Sequence, residues 1–224
     1  AGGLLGLLFK NLLTKSMEDT LLKASSVCVL FIGIGGAMSQ MLKLTDGVLA
    51  TSGSMMLIIC FVLGGLVGEL LNIEGAFERF GAWLRKKTHN ESDSGFLSGF
   101  IHASLTVCVG AMAIVGSIQD GLLGDASLLC AKAALDAVII LVMTASMGKG
   151  CIFSAIPVAI LQGSVTLLSR VIAPVMTDAA IASLSFTGSV MIFCVGVNLI
   201  WGKTIKVANL LPTLVFAVIY TFLF

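Results

Sequence analysis

The chain has 224 residues, of which 58% are apolar and only 11% are charged, and its formal net charge is +1. An average soluble domain has roughly 25% charged residues, more than twice the fraction found here. Together with a mean hydropathy of +1.09, this low charge excludes a soluble fold that buries its apolar surface in one core. The sequence has no basic patch interleaved with aromatic residues, which argues against nucleic-acid binding. We therefore expect the lipid bilayer to be the main partner.

Apolar runs of roughly 17 to 25 residues predict seven transmembrane helices. In chain order they lie near residues 24–42, 53–73, 96–118, 126–147, 151–170, 185–201 and 206–224. The opening AGGLLGLLF precedes Lys10 and supplies about 13 Å of helix, too little for a hydrocarbon core of roughly 30 Å. We interpret it as the tail of a truncated first span. The prediction is an all-α polytopic bundle of about eight spans, forming a single transmembrane domain over residues 1–224.

Three segments between the apolar runs are amphipathic: MEDTLLKAS, EGAFERFGAWLRKK and MTDAAIASLS. Each is predicted to form a short interfacial helix. In the amphipathic loop 74–95, Phe80 and Trp83 lie beside the basic cluster at 85–87, a combination typical of a helix at the headgroup level of the cytoplasmic leaflet. Pro157 and Pro212 are expected to kink their helices.

The basic residues predict the orientation, because Lys and Arg in short loops collect on the cytoplasmic side. When the chain is threaded through the predicted spans, ten of the thirteen Lys and Arg residues fall on one side. These ten are Lys10, Lys15, Lys23, Arg79, Arg85, Lys86, Lys87, Lys149, Lys203 and Lys206. The sequence therefore predicts a multi-pass protein of a prokaryotic plasma membrane with both termini outside.

Small-residue motifs recur along the chain. GGLLG at position 2, GGLVG at position 64 and, more weakly, QGSVT at position 162 are each followed by a span that carries FIGIGG, CVGAMAIVG or CVGVNLIWG. This order predicts hairpin-like repeats near 1–42, 53–118 and 151–201, with the last in inverted orientation. Inverted repeats are common in secondary transporters. Chance similarity between apolar sequences is the alternative explanation.

Lys132 and Asp136 are four residues apart within one predicted span, so they can meet as an ion pair on one helix face. A charge at bilayer depth costs at least roughly 2.5 to 3.5 kcal/mol, which makes an ionisable residue there a functional candidate. A structural pair that neutralises itself is the other interpretation. Asp136 is the stronger candidate because it lies closest to the centre of its span.

The segment from Gly110 to Asp120 is a second candidate site. Gly110 and Gly116 either let helices pack closely or mark a broken helix that offers backbone carbonyls to an ion. Ser117, Gln119 and Asp120 follow at its outer end. The sequence leaves packing and ion binding open here.

Four further polar residues lie within or near predicted spans: Glu69, His102, Gln162 and Asn198. Glu69 and His102 fall near the inner ends of their spans. We expect them either to line a path for an ion or solute or to reach the cytoplasmic interface. For Gln162 and Asn198 we expect one of two roles: to bind solute or to form interhelical hydrogen bonds. With two histidines and no catalytic motif, no enzyme activity, cofactor or metal site is expected.

The segments VCVGAMAIVGSIQDGLLGD, GELLNIEGAFERFGAWL, AKAALDAV, QGSVTLLS and KVANLLP resemble the YdfK/YqgA-type family of uncharacterised membrane proteins. The resemblance covers nearly the whole chain. It implies a bacterial or archaeal multi-pass protein of a family sometimes labelled as sodium channels or pumps. Family members have a longer first helix with a Gly-Thr and an Asn ahead of the glycine pair that matches Gly2 and Gly3.

These observations together predict an integral membrane transporter or channel for a small cation, sodium among them, or for a small solute. The path candidates are the charged pair, the broken-helix candidate and the four polar residues above. The alternative is a non-transporting scaffold or regulatory protein that binds a partner or anionic lipid through its basic loop. A polar cavity containing Asp136 or Asn198 would favour transport. A homo-oligomer remains open.

Overall fold

The computed structural model describes residues 2–10, 14–45, 48–90, 95–108 and 111–223. The helices are α1 Gly2–Lys10, α2 Lys15–Met41, α3 Ser54–Leu71, α4 Ile73–Lys87, α5 Phe96–Cys108, α6 Ala111–Leu123, α7 Ser127–Met147, α8 Ala155–Leu167, α9 Ser169–Ile172, α10 Asp178–Trp201 and α11 Pro212–Leu223. Short 3-10 turns cover Lys149–Ser154, Ala173–Val175 and Val207–Leu210. Strands β1 Leu42–Thr45 and β2 Val48–Thr51 form an antiparallel hairpin, with Leu42 opposite Thr51.

The predicted all-α polytopic architecture is confirmed. In the described part of the chain, five helices are long and apolar enough to cross a membrane, and the bent pair α5–α6 makes up to six. The apolar stretch Val207–Leu223 is shorter. Each of the seven full-length predicted spans coincides with helical structure, while the total of eight stays a prediction.

Several helix ends and loops meet at one end of the molecule. One cavity is lined by Leu22, Glu74, Leu97, Met147 and Lys203, which belong to five different segments. All of these segments therefore reach the same end of the molecule, which we call the basic end. A second depression, at the opposite end, is lined by residues from α2, the β-hairpin, α3, α10 and α11.

Helices α2 and α10 pack closely through small residues. A Cβ added to Gly33 would lie 2.5 Å from the backbone nitrogen of Phe193, and one added to Gly36 would lie 2.3 Å from Ser189 Oγ. Gly196 faces Leu30 in the same way. Helices α2 and α10 thus run antiparallel at this contact, with two glycines of FIGIGG against Ser189 and Phe193, just before CVGVNLIWG, as glycine-mediated packing in membranes allows. The internal repeat itself stays a prediction.

Two of the amphipathic segments differ from expectation. MEDTLLKAS belongs to the 27-residue helix α2, and MTDAAIASLS runs into the start of α10. Neither segment has a glycine or proline after it that would stop the helix before the span. EGAFERFGAWLRKK does form a separate helix, α4, because Asn72 adopts a left-handed conformation with φ of 48° between α3 and α4.

The two prolines each lie where a short 3-10 turn passes into an α-helix. Pro157 lies in the first turn of α8, and Pro212 is the first residue of α11. A first turn tolerates proline because its N–H groups have no partner within the helix. These prolines therefore mark where helices begin.

Candidate functional site

Helix α5 lies at the centre of the molecule. Every residue from Gly99 to Val107 is buried, so the helix is covered on all sides. α5 is described as far as Cys108, and α6, described from Ala111, runs in a direction that differs from that of α5 by 60°. Carbonyl groups in the last turn of a helix are available to partners outside it, so backbone oxygens near this change of direction can accept hydrogen bonds from neighbouring helices.

The charged pair on α7 lies at this bend. Lys132 Nζ donates to the carbonyl oxygen of Val107, in the last turn of α5, over 2.8 Å. The same ammonium group contacts the carboxylate of Asp136. Lys132 is buried and the side chain of Asp136 is 22% exposed. The structure thus joins a backbone acceptor, an ammonium and a carboxylate within the spans.

A cavity of about 360 Å³ opens at the basic end and reaches along α5. Its polar lining groups come from four segments, and its inner wall includes Leu105, two residues before Val107. The polar lining residues are Glu74, Glu78, Ser98, His102, Asn198 and Lys203. The cavity and the charged pair therefore lie along one helix, the cavity nearer the basic end.

Glu74, Glu78 and Lys203 also line the cavity, and we call these three residues its charged rim. Glu74 and Lys203 form an ion pair within it. Glu74 is buried, and its Oε2 accepts a hydrogen bond of 3.0 Å from the backbone N–H of Ala208. Lys203 Nζ lies 3.2 Å from Glu74 Oε1 and also contacts Glu78. Burial alone would lower the pKa of Lys203, but the hydrogen bonds to Glu78 and Glu74 outweigh it and raise that pKa above 10.5. The lysine therefore stays charged throughout the neutral range.

His102 presents one ring nitrogen to its own helix. Its Nδ1 lies 2.8 Å from the carbonyl oxygen of Ser98. A carbonyl oxygen only accepts, so Nδ1 carries the proton and donates it. Nε2 is then the nitrogen that accepts a proton or a hydrogen bond, on a buried ring that lines the cavity.

The side chain of Asn198 forms hydrogen bonds with the backbone of the turn after α10. Its Oδ1 accepts from the backbone N–H groups of Thr204 and Ile205 at 3.0 and 2.9 Å, and its Nδ2 donates to the carbonyl oxygen of Ile205 at 2.6 Å. Gly202 supplies the φ of 79° at which this turn leaves the helix. Asn198 thus lines the cavity while it holds the loop that carries Lys203.

Glu69 lies at the basic end but outside the cavity lining. Its carboxylate accepts from Lys206 Nζ at 2.5 Å and from Asn209 Nδ2 at 2.6 Å, and its side chain is 59% exposed. Asn209 Oδ1 in turn accepts from the backbone N–H of Glu74 at 2.7 Å. Glu69 therefore supports the rim from outside.

The remaining predicted site residues that the structure describes do not line the cavity and are not hydrogen-bond partners of the charged pair. Gly116 packs against Leu129 of α7, and Ser117 donates to the carbonyl of Ala113 in its own helix at 2.7 Å. Gln119 and Asp120 are half-buried toward the end of α6, and Gln162 is half-buried on α8. Gly110 lies outside the described residues. Over the described ranges, no group of three His, Cys, Asp or Glu side chains is placed to hold a metal ion.

Sequence reasoning missed four of the cavity residues: Glu74, Glu78, Ser98 and Lys203. The i, i+4 spacing of the two glutamates on one amphipathic helix was the available signal. Lys203 had no such signal, because it comes 125 residues after Glu78 in the chain.

The chain is similar to proteins that carry no assigned activity. A family model described as "Protein of unknown function (DUF554)" matches residues 1–222. The "Uncharacterized membrane protein YdfK" of Bacillus subtilis (strain 168) is 26% identical over 214 residues, which cover 96% of this chain and 87% of that protein. The "Uncharacterized protein YqgA" of Escherichia coli (strain K12) is 27% identical over 217 residues, covering 96% and 89%. No solved structure matches.

Proposed function

The chain belongs to the DUF554 family and is a polytopic membrane protein, and we propose that it carries a small monovalent cation, such as sodium, across a prokaryotic plasma membrane. It does so as a transporter or channel and not as an enzyme. The basic end faces the cytoplasm and both termini lie outside, because basic loops are retained on the inner side.

The observation that carries this proposal is the charged pair at the bend of the central span. Discontinuous helices at membrane depth are typical of transporter binding sites, and intramembrane charges usually mark an ion path. The ammonium group of Lys132 already occupies a position between the Val107 carbonyl and the Asp136 carboxylate. When the Lys132 side chain moves away, these oxygens are left for a hard cation, which prefers carbonyl and carboxylate ligands.

The cavity at the basic end supplies an entrance. It includes Asn198, and it brings two carboxylates and one lysine together near the surface. With one more negative than positive side chain, the entrance attracts cations. His102 lies deeper, between this rim and the bend, where Nε2 can hold a proton or contact a passing ion.

Flux through reconstituted proteoliposomes tests the proposal directly. Asp136→Asn keeps the size of the side chain and removes its charge, so we expect cation flux to fall at least tenfold. The protein should stay folded because the amide oxygen of asparagine can still accept a hydrogen bond from Lys132. The chain offers a matched control in Asp19→Asn, because Asp19 forms an exposed i, i+4 pair with Lys23. Flux of Asp19→Asn should equal that of the wild type.

The panel of sodium, potassium, lithium, protons and small neutral solutes identifies the substrate. Equal flux in the wild type and in Asp136→Asn would reject Asp136 as an ion ligand. Absence of flux for every cation and solute, with the protein folded and oriented, would favour the alternative of a scaffold or regulatory protein.

A further inference from the structure

A further depression, distinct from those at the two ends, opens on the side of the molecule and has a volume of about 530 Å³. We call it the lateral groove. Its walls come from α4, the end of α5, the start of α6, α8, α10 and the beginning of α11. Among the described residues that line it, none is charged, and Phe77, Phe80, Ile160 and Leu214 are typical members. The lateral groove is thus an apolar surface groove, and we infer that it faces the bilayer.

The lateral groove extends part of the way across one leaflet. It runs from Ile73 and Phe80 on the interfacial helix α4 to Cys108, the last described residue of α5. Pro157 and Ser164 of α8 both line it, and their separation along the helix corresponds to about 10 Å at 1.5 Å per residue. Half of a hydrocarbon core of roughly 30 Å is about 15 Å, so the lateral groove can hold a large part of one acyl chain.

A cationic depression continues the groove at the headgroup level. Trp83, Lys86, Lys87 and His89 line it, on the last turns of α4 and just beyond. The rings of Phe80 and Trp83 stack with centroids 5.8 Å apart. Because Phe80 lines the lateral groove and Trp83 lines the depression, this stacked pair joins the two.

We propose that the lateral groove binds one anionic phospholipid, with an acyl chain in the groove and the headgroup phosphate on Lys86 and Lys87. The occupant must be apolar over one leaflet and negatively charged at the interface, which describes an anionic phospholipid of the cytoplasmic leaflet. Trp83 lies at the boundary between the two parts, where tryptophan is preferred. Neither Lys132 nor Asp136 lines the groove, so the proposed lipid site does not depend on whether the chain transports cations.

The test uses the full-length protein in detergent, with phosphatidylglycerol and phosphatidylcholine of identical acyl chains as probes. Native mass spectrometry counts the retained lipids, and thermal unfolding measures the stabilisation. For the wild type we expect one retained phosphatidylglycerol and a larger rise in Tm than phosphatidylcholine gives. Each basic residue near a membrane surface contributes about 1 kcal/mol to anionic lipid binding, so Lys86→Gln/Lys87→Gln should bind phosphatidylglycerol roughly 30-fold more weakly.

Two further variants separate headgroup from chain. Lys23→Gln/Lys149→Gln removes the same number of charges at the basic end away from the groove, and it should bind lipid as the wild type does. Ile160→Trp fills the groove from α8, where Ile160 is 63% exposed and the larger ring can be accommodated without unfolding. It should lose both lipids while keeping the wild-type Tm in detergent alone.

Three results would overturn the proposal. Equal binding of the two lipids by the wild type, or undiminished phosphatidylglycerol binding by Lys86→Gln/Lys87→Gln, would show that no anionic headgroup site exists. A dimer that forms in place of lipid binding and is broken by Ile160→Trp would assign the groove to a second copy of the chain.

Discussion

At the scale of single residues, the most consequential group is Lys132, because it partners two acceptors at once. Its ammonium group neutralises Asp136 and also donates to the carbonyl of Val107, near the end of the described part of α5. In an apolar environment each of these groups would be costly to leave unpaired. The pair therefore has a structural role in addition to the proposed one in transport.

This double role predicts a specific pattern of stability. Lys132→Met should destabilise the protein by about 3–5 kcal/mol, because removing one partner of a buried ion pair leaves an uncompensated charge. Lys132→Met/Asp136→Leu should recover a large part of that loss. Thermal or denaturant unfolding in detergent measures both variants. A double variant as unstable as Lys132→Met would contradict the view that the unpaired carboxylate is the main cost.

At the scale of elements, helix packing depends on which glycines face a neighbour. On α2, Gly33 is buried against the backbone of α10, whereas Gly35 is exposed and has nothing within 4 Å of an added Cβ. Both glycines belong to the same FIGIGG segment. The sequence motif thus contains two glycines, Gly33 and Gly36, that face α10 closely and one, Gly35, that does not.

Gly33 and Gly35 give a matched pair of substitutions. Gly33→Ala should cost about 1–3 kcal/mol, because its methyl group meets backbone that cannot yield easily. Gly35→Ala should be neutral or stabilise by up to about 1 kcal/mol, since alanine is the better helix former. Unfolding in detergent compares them under identical conditions. Equal losses from both would mean that α2 and α10 do not pack as described.

At the scale of the whole molecule, the charges are segregated toward one end. Loops from α3, α4, α7 and α10 meet there, and their ion pairs connect residues more than 100 positions apart, as between Glu78 and Lys203. The opposite end carries the β-hairpin with Lys43. By the positive-inside rule, this asymmetry predicts that the basic end faces the cytoplasm.

Reporter fusions in bacterial cells test that orientation. Alkaline phosphatase fused after the last residue should be active, because the C-terminus is expected outside. A fluorescent protein inserted after Asn90, following the basic cluster of α4, should fluoresce, because that loop is expected in the cytoplasm. The reverse pair of results would place the basic end outside and remove the argument for a cytoplasmic entrance.

Part of the candidate site was visible in the sequence. The i, i+4 spacing of Lys132 and Asp136 predicts their contact, and the small-residue segment beginning near Cys108 falls at the bend of the central span. The interpretation of Asn198 needed the structure, because its hydrogen bonds go to a turn seven residues away. Glu74 and Lys203 could not be paired in advance, since a charge on an amphipathic helix gives no sign of a distant partner.

The sequence by itself determined that this is a polytopic helical membrane protein, where its apolar helices lie and which ends carry the positive charge. It did so because these properties depend on local composition: long apolar runs must enter lipid, and basic loops resist translocation. Only the tertiary structure decided that α5 is the buried central helix, that Lys132 reaches its terminal carbonyl, and that a cavity and a lateral groove flank it. Those features depend on contacts between distant segments, which local sequence patterns do not encode.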